Sequence, residues 1–310
     1  MKRSNILKAL QWLLVAAAYG YLGYRLAVYD DWQSLYVQFG SAGVWQYICL
    51  TAAVLLFPLN ILFESMKWQY LMRDIEPMTI GEAQRQTYFG FIGAFVTPSR
   101  LGDYPARVSM MQSKNRWLEA VTLGFTGTLA LAFLQVMAGM PSCILLLENI
   151  GGMRWVEWLC GAVWVLQVLT IVFYRYLSRQ LSVHIREGKI KDTLEQLSRF
   201  SHKRFLITLL YSFLRYVVYC IQLWLVLEFC GIHLSFTESL AAIPAYYLLV
   251  TVTPSVPVAD AVVRGSWSVV IFSMYSDNIP AIAVAAVLLW LLNTILPILV
   301  STLLPKNRII

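Results

Sequence analysis

The chain has 310 residues, of which 59% are hydrophobic and 13% charged, and its mean hydropathy is +0.63. Soluble domains carry about 25% charged residues, so a water-soluble globule is excluded and the length is best counted in bilayer crossings of about 20 residues each. The formal net charge of +7 does not point to nucleic acid: the basic residues lie between apolar segments, as Lys and Arg do in the cytoplasmic loops of membrane proteins.

A first apolar stretch over 6–29 follows Met1, Lys2 and Arg3. It exceeds the roughly 7–15 residues of a signal-peptide core and reads as an uncleaved first span. Further spans are predicted over 44–71, 119–147, 155–177, 205–230 and 279–304. Two other segments, 83–111 and 239–274, are apolar but broken by proline, glycine and charge.

Lys and Arg set the sides of the membrane. Lys2, Arg3 and Lys8 hold the N-terminus in the cytoplasm, and the following loop, with Asp30 and Asp31, lies outside. Lys67, Arg73 and Arg85 read as inside, and so do Lys114 and Arg116. Segment 83–111 therefore has basic flanks at both ends and is predicted to be a re-entrant hairpin dipping in from the cytoplasm. The basic loop 178–204 is cytoplasmic and interfacial. The flanks of 239–274 contain no Lys or Arg, so that hairpin enters from outside, and Lys306 and Arg308 return the C-terminus to the cytoplasm.

The chain also repeats itself. Val96-Thr97-Pro98-Ser99 recurs as Val252-Thr253-Pro254-Ser255, and the same spacing pairs Glu82 with Glu238 and Trp68 with Trp224. Asp103 and Arg107 recur as Asp260 and Arg264 after one inserted residue. Each half, 1–150 and 151–310, then holds three spans and one broken hairpin. Three is odd, so the second half must be inverted. The expected fold is an all-α polytopic membrane protein built as an inverted repeat, an architecture of many transporters that an enzyme could also reach by convergence.

Thr79-x-x-Glu82 and Ser235-x-x-Glu238 fit capping boxes that open the first helix of each hairpin. At the tips, Pro98, Gly102 and Pro105 break the first hairpin, and Pro254 and Pro257 break the second. Asp103 is placed to cap the helix that follows, with Pro105 in its first turn. Both outgoing helices would aim their N-terminal N–H groups at the bilayer centre, where anions bind readily. Arg100, Arg107 and Arg264 add fixed positive charge there. The pairs Asp103–Arg107 and Asp260–Arg264 read either as internally neutralised pairs or as part of a substrate site. A charge at a helix centre costs at least about 2.5–3.5 kcal/mol and usually marks a pathway.

The predicted substrate-binding set is Ser99, Arg100, Gly102, Asp103, Arg107, Ser255, Asp260, Arg264 and Arg215, holding an anionic group such as a lipid phosphate. Arg215, in mid-span, is either a second polar stop on the pathway or a partner of Glu228 or Glu64. Glu64 and Lys67 are spaced to pair. The five cysteines are scattered, His184, His202 and His233 have no ligand spacing, and no metal or cofactor is expected. Trp12, Trp32, Trp45, Trp155 and Trp158 fit interfacial belts. No G-x-x-x-x-G-K-[ST] loop or G-x-S-x-G elbow supports nucleotide or serine chemistry.

With Lys67-Trp68 before a polar loop, Pro98-Ser99-Arg100-Leu101-Gly102-Asp103 with Arg107, and a proline-rich second tip, the chain resembles the transmembrane-domain family of lysylphosphatidylglycerol synthases, flippase-like integral membrane proteins. The likeness covers nearly the whole chain. It departs at 254–260, where the family usually has a glycine-rich stretch ending in an acid and this chain has no glycine. The resemblance implies movement of a modified phospholipid or polyprenyl-linked lipid between leaflets of the cell membrane. Two-domain members carry a soluble aminoacyl-transferase after the membrane part. This chain ends soon after its last span, so it is expected not to make the lipid and to depend on a lipid-modifying enzyme encoded separately. The rival expectations are an integral membrane enzyme acting on a lipid phosphate, and a scaffold for a membrane glycosyltransferase or synthase.

Overall fold

The computed structural model describes residues 16–30, 33, 39–40, 42–97, 100–113, 116–149, 154–184, 191, 195, 198, 201–253 and 259–304. Among these residues there is no strand. Helix α1 covers 16–27 and is followed by α2 (Val44–Met72), α3 (Ile80–Val96), α4 (Asp103–Ser109), α5 (Trp117–Asn149) and α6 (Arg154–His184). Then come α7 (His202–Phe229), α8 (Phe236–Val252), α9 (Asp260–Phe272) and α10 (Ile279–Leu303), the last with a π-helical turn over Leu291–Ile295. By length and composition, α2, α5, α7 and α10 can each cross a membrane. The protein is a multi-pass membrane protein, and large apolar side chains such as Leu55, Leu129, Leu166 and Leu210 are exposed on its outer face. Trp45, Trp155 and Trp158 are exposed near helix starts, as interfacial tryptophans should be.

The elements follow the sequence closely. Segment 83–111 holds α3 and α4, and 239–274 holds α8 and α9. Both capping boxes are formed. Thr79 accepts from the Glu82 N–H at 3.3 Å while the Glu82 carboxylate accepts from the Thr79 N–H at 2.7 Å. Ser235 and Glu238 repeat this at 3.3 and 2.7 Å. Helices α3 and α8, each 17 residues long, thus start from the same device. Helix α6 runs beyond its predicted end to His184 and kinks at Phe173, and most of the predicted interfacial loop lies outside the described residues.

Helices α2 and α7 form the central pair, with Cys49 and Ala53 packed into the same buried cluster as Leu223, Val226 and Leu227. Small residues let the backbones close, and the Gln222 amide donates to the Ala53 carbonyl at 3.0 Å. Helices far apart in the sequence also pack on one another. Helix α5 lies on α8, where a side chain at Gly139 would meet Leu248 and the Pro244 carbonyl. Helix α10 lies on α3, with Leu296, Ile298 and Val300 packed around Phe57, Ile61 and Phe91. A third cluster, including Trp68, Met72, Ala83, Tyr104 and Val108, ties α4 to α2 and α3.

Candidate functional site

The first tip is shaped by backbone contact. A Cβ added at Gly93 would collide with the Gly102 carbonyl and Ala106, so α3 and α4 touch where only glycine fits. The Gly102 N–H donates to the Thr97 hydroxyl at 2.7 Å, and that hydroxyl donates to the Gly93 carbonyl at 2.8 Å. Arg100 has φ of 58°, and among the described residues it alone carries a side chain in the left-handed region, a conformation that must be held by its surroundings. Its guanidinium lies 5.5 Å from the centre of the Phe91 ring, and among the described residues it pairs with no carboxylate.

Asp103 does not cap α4 as the sequence predicted. Gly102 occupies the N-cap with no side-chain bond, and Asp103 is the first helical residue. Its carboxylate is taken by Arg107, which donates through Nε at 2.6 Å and Nη2 at 3.0 Å. The reason lies in the helical register: residues four apart share a face, and the bidentate bond to a cation is stronger than a bond to a neutral N–H. Arg107 passes over Gly90, where an added Cβ would come within 2.7 Å of its Nε. It is 1% exposed and lies against the rings of Trp68 and Tyr104, and Nη1 reaches Glu64 Oε1 at 2.9 Å.

Glu64 is the hub of this region. Its carboxylate also meets Lys67 Nζ at 2.8 Å and Arg215 Nη1. Arg215 donates further to Asn60 and to the Tyr219 hydroxyl, both at 2.9 Å, and Lys67 to the Gly127 carbonyl at 3.2 Å. Of the partners foreseen for Arg215, Glu64 is the one found. The predicted Glu64–Lys67 pair is formed, but Lys67 is 2% exposed inside the protein and is not a charge at the cytoplasmic surface, because Glu64 three residues earlier compensates it in place.

In the second half, Arg264 Nε donates to Asp260 Oδ2 at 3.0 Å, and the Trp290 indole donates to the same oxygen at 3.2 Å. Both charged side chains are partly open, 20% and 18% exposed.

A cavity of about 470 Å³ joins these groups, within the range of about 300–1,000 Å³ usual for small-ligand sites. Glu64, Lys67, Arg100, Asp103, Arg215, Asp260 and Arg264 line it, with Tyr219 and Tyr247 between them and Leu131, Ala132, Val250 and Leu289 as apolar wall. Arg107 stands directly behind Asp103. On the wall, Lys67, Arg100, Arg215 and Arg264 stand against the carboxylates of Glu64, Asp103 and Asp260, an excess of one positive charge to which the buried Arg107 behind the wall adds a second.

Of the residues predicted to bind substrate, Arg100, Asp103, Arg215, Asp260 and Arg264 thus share one cavity. Arg107 is buried in its wall and Gly102 forms the tip. Ser99 and Ser255, with Pro98, Pro254 and Pro257, lie outside the described residues. The sequence reading missed Glu64 and Lys67 as cavity residues, together with Gln135, Thr251, Asn293 and Thr294. The signal for the first two was present: Asn60, Glu64 and Lys67 recur at helical spacing along one face of an apolar helix.

No curated protein matches the chain in sequence. A match to a family does exist, described as the lysylphosphatidylglycerol synthase TM region, and it runs over residues 9–301. With nearly its whole length matched, the chain belongs to the family of lysylphosphatidylglycerol synthase transmembrane regions.

Proposed function

We propose that the protein is a lipid translocase that carries an anionic phospholipid or polyprenyl-linked lipid between leaflets by alternating access, without changing the lipid's bonds. The observation that carries this reading is the cation-rich cavity where the two halves meet. Its volume suits a head group, while apolar chains would stay in the surrounding bilayer.

In this reading the two halves are inverted repeats, each with a re-entrant hairpin. Helices α3 and α8 start from the same capping box and each leads to a short helix opening on an Asp–Arg pair. Helix α4, with seven residues, spans about 10 Å, and α9, with thirteen, about 20 Å; neither crosses a hydrocarbon core of about 30 Å. Partner exchange of α5 with α8 and of α10 with α3 is what a two-fold axis between inverted halves would produce. Rocking of one half against the other would then open the cavity to alternate sides. The distribution of Lys and Arg favours a cell-membrane orientation with both termini in the cytoplasm.

The test is reconstitution in vesicles that carry a labelled anionic lipid in one leaflet. Exchange between leaflets should be faster than in protein-free vesicles and slower with Arg264→Gln, whose side chain is partly open and can be changed without unpacking the core. Equal rates with and without the protein would sink the reading.

A further inference from the structure

We infer that the cavity selects a phosphate head group that carries hydroxyls and no ammonium, so that a glycerol- or sugar-bearing lipid anion is preferred over an aminoacylated one. The inference rests on the reading of the cavity as a lipid head-group site. Its first support is charge. A lysyl ester brings two ammonium groups and would need carboxylates to receive them. All three carboxylates on the wall are already engaged: Glu64 by Lys67, Arg107 and Arg215, Asp103 by Arg107, and Asp260 by Arg264 and Trp290. Arg100 adds a cation with no carboxylate partner among the described residues. An ammonium would enter a field already positive by two charges, and like charges placed together are strongly disfavoured.

The second support is the uncharged part of the wall. Gln135 on α5 meets the Thr251 hydroxyl of α8 at 3.0 Å through one end of its amide, while that hydroxyl donates to the Tyr247 carbonyl at 2.7 Å, so the other end of the Gln135 amide has no partner among the described residues. On α10 the π-helical turn carries Asn293 and Thr294 to the cavity. The Asn293 amide nitrogen donates to the Leu289 carbonyl at 3.3 Å, so its oxygen is left to accept. A π turn within an α-helix is frequent at functional sites. Neutral donors and acceptors of this kind match hydroxyl groups, which both donate and accept.

The test uses purified protein in detergent and a fluorescent phosphatidylglycerol displaced by three unlabelled lipids. Phosphatidylglycerol should bind about tenfold or more tightly than lysylphosphatidylglycerol. It should bind about fivefold more tightly than phosphatidylethanol, which has the same charge and no free hydroxyl. Gln135→Leu combined with Asn293→Leu should erase the second preference and leave the first. Arg100→Asn, at an exposed tip position whose backbone Asn tolerates, should weaken phosphatidylglycerol and narrow the first preference. Equal or tighter binding of the lysyl lipid would overturn the inference, and so would equal binding of the two anions. Selective binding without leaflet exchange would instead leave it standing and sink the translocase reading, whereas exchange without selectivity would do the reverse.

Discussion

Two Asp–Arg pairs of the same spacing face one cavity, yet their surroundings give them different work. Asp103–Arg107 is fused into a buried network in which Glu64 holds three cations. Asp260–Arg264 stands partly open, with the Trp290 indole donating to the same carboxylate. The repeat spacing shows why. The positions equivalent to Glu64 and Lys67 are Cys220 and Leu223, and the position equivalent to Arg215 is Leu59, so the second half has no hub to join. The packing differs in the same sense. Gly90 and Gly93, which let α4 press onto α3, correspond to Tyr246 and Leu249, and the Tyr246 ring packs against Phe272 of α9. A motif of two residues therefore specifies an ion pair, and the helices around it decide whether that pair is fused into a buried network or stands partly open on the cavity.

The largest effect should come from the hub. Glu64→Gln leaves Lys67, Arg107 and Arg215 buried without their shared counter-charge, and breaking a buried pair in this way costs about 3–5 kcal/mol. Asp260→Asn removes a pair that water already reaches and should cost about 1–2 kcal/mol. Thermal unfolding of both variants in one detergent checks the order, and equal losses would break the contrast between the tips. Next comes Gly93→Ala. The added methyl meets the Gly102 backbone, which cannot swing aside as a side chain would, so overpacking should cost about 1–3 kcal/mol. An unchanged unfolding midpoint would mean that contact between α3 and α4 does not hold the first tip.

Much of this was legible in the chain because it depends on local spacing. Capping boxes and the i,i+4 ion pairs are each settled within one or two helical turns, and they appear; of the six predicted spans, four are long and apolar enough to cross a membrane among the described residues. What depends on distant partners was harder to read. Glu64 and Lys67 were visible as a pair, but that Arg107 and Arg215 converge on the same carboxylate depends on how α2, α4 and α7 pack together. The predicted cap by Asp103 failed for a related reason: a carboxylate has one strongest partner, and Arg107 outcompetes a backbone N–H. Gln135, Thr251, Asn293 and Thr294 gave no pattern, since they lie on α5, α8 and α10 and only the packing of these three helices brings them to one cavity.

The smallest predicted effect isolates what the two halves share. Thr79→Ala and Ser235→Ala each remove an N-cap acceptor from helices of equal length, at exposed positions far from the hub. Loss of such a cap costs about 0.5–2 kcal/mol. Since both boxes have the same bond lengths, to 0.1 Å, the two variants should lose nearly the same stability, and Thr79→Ser should retain it. If the tips differ only because of the groups around them, this equality at the outer ends must survive. A clearly larger loss from Thr79→Ala in thermal unfolding would show that the first half is more tightly coupled along its whole hairpin, and the difference between the tips would then begin at the membrane surface and not at the cavity.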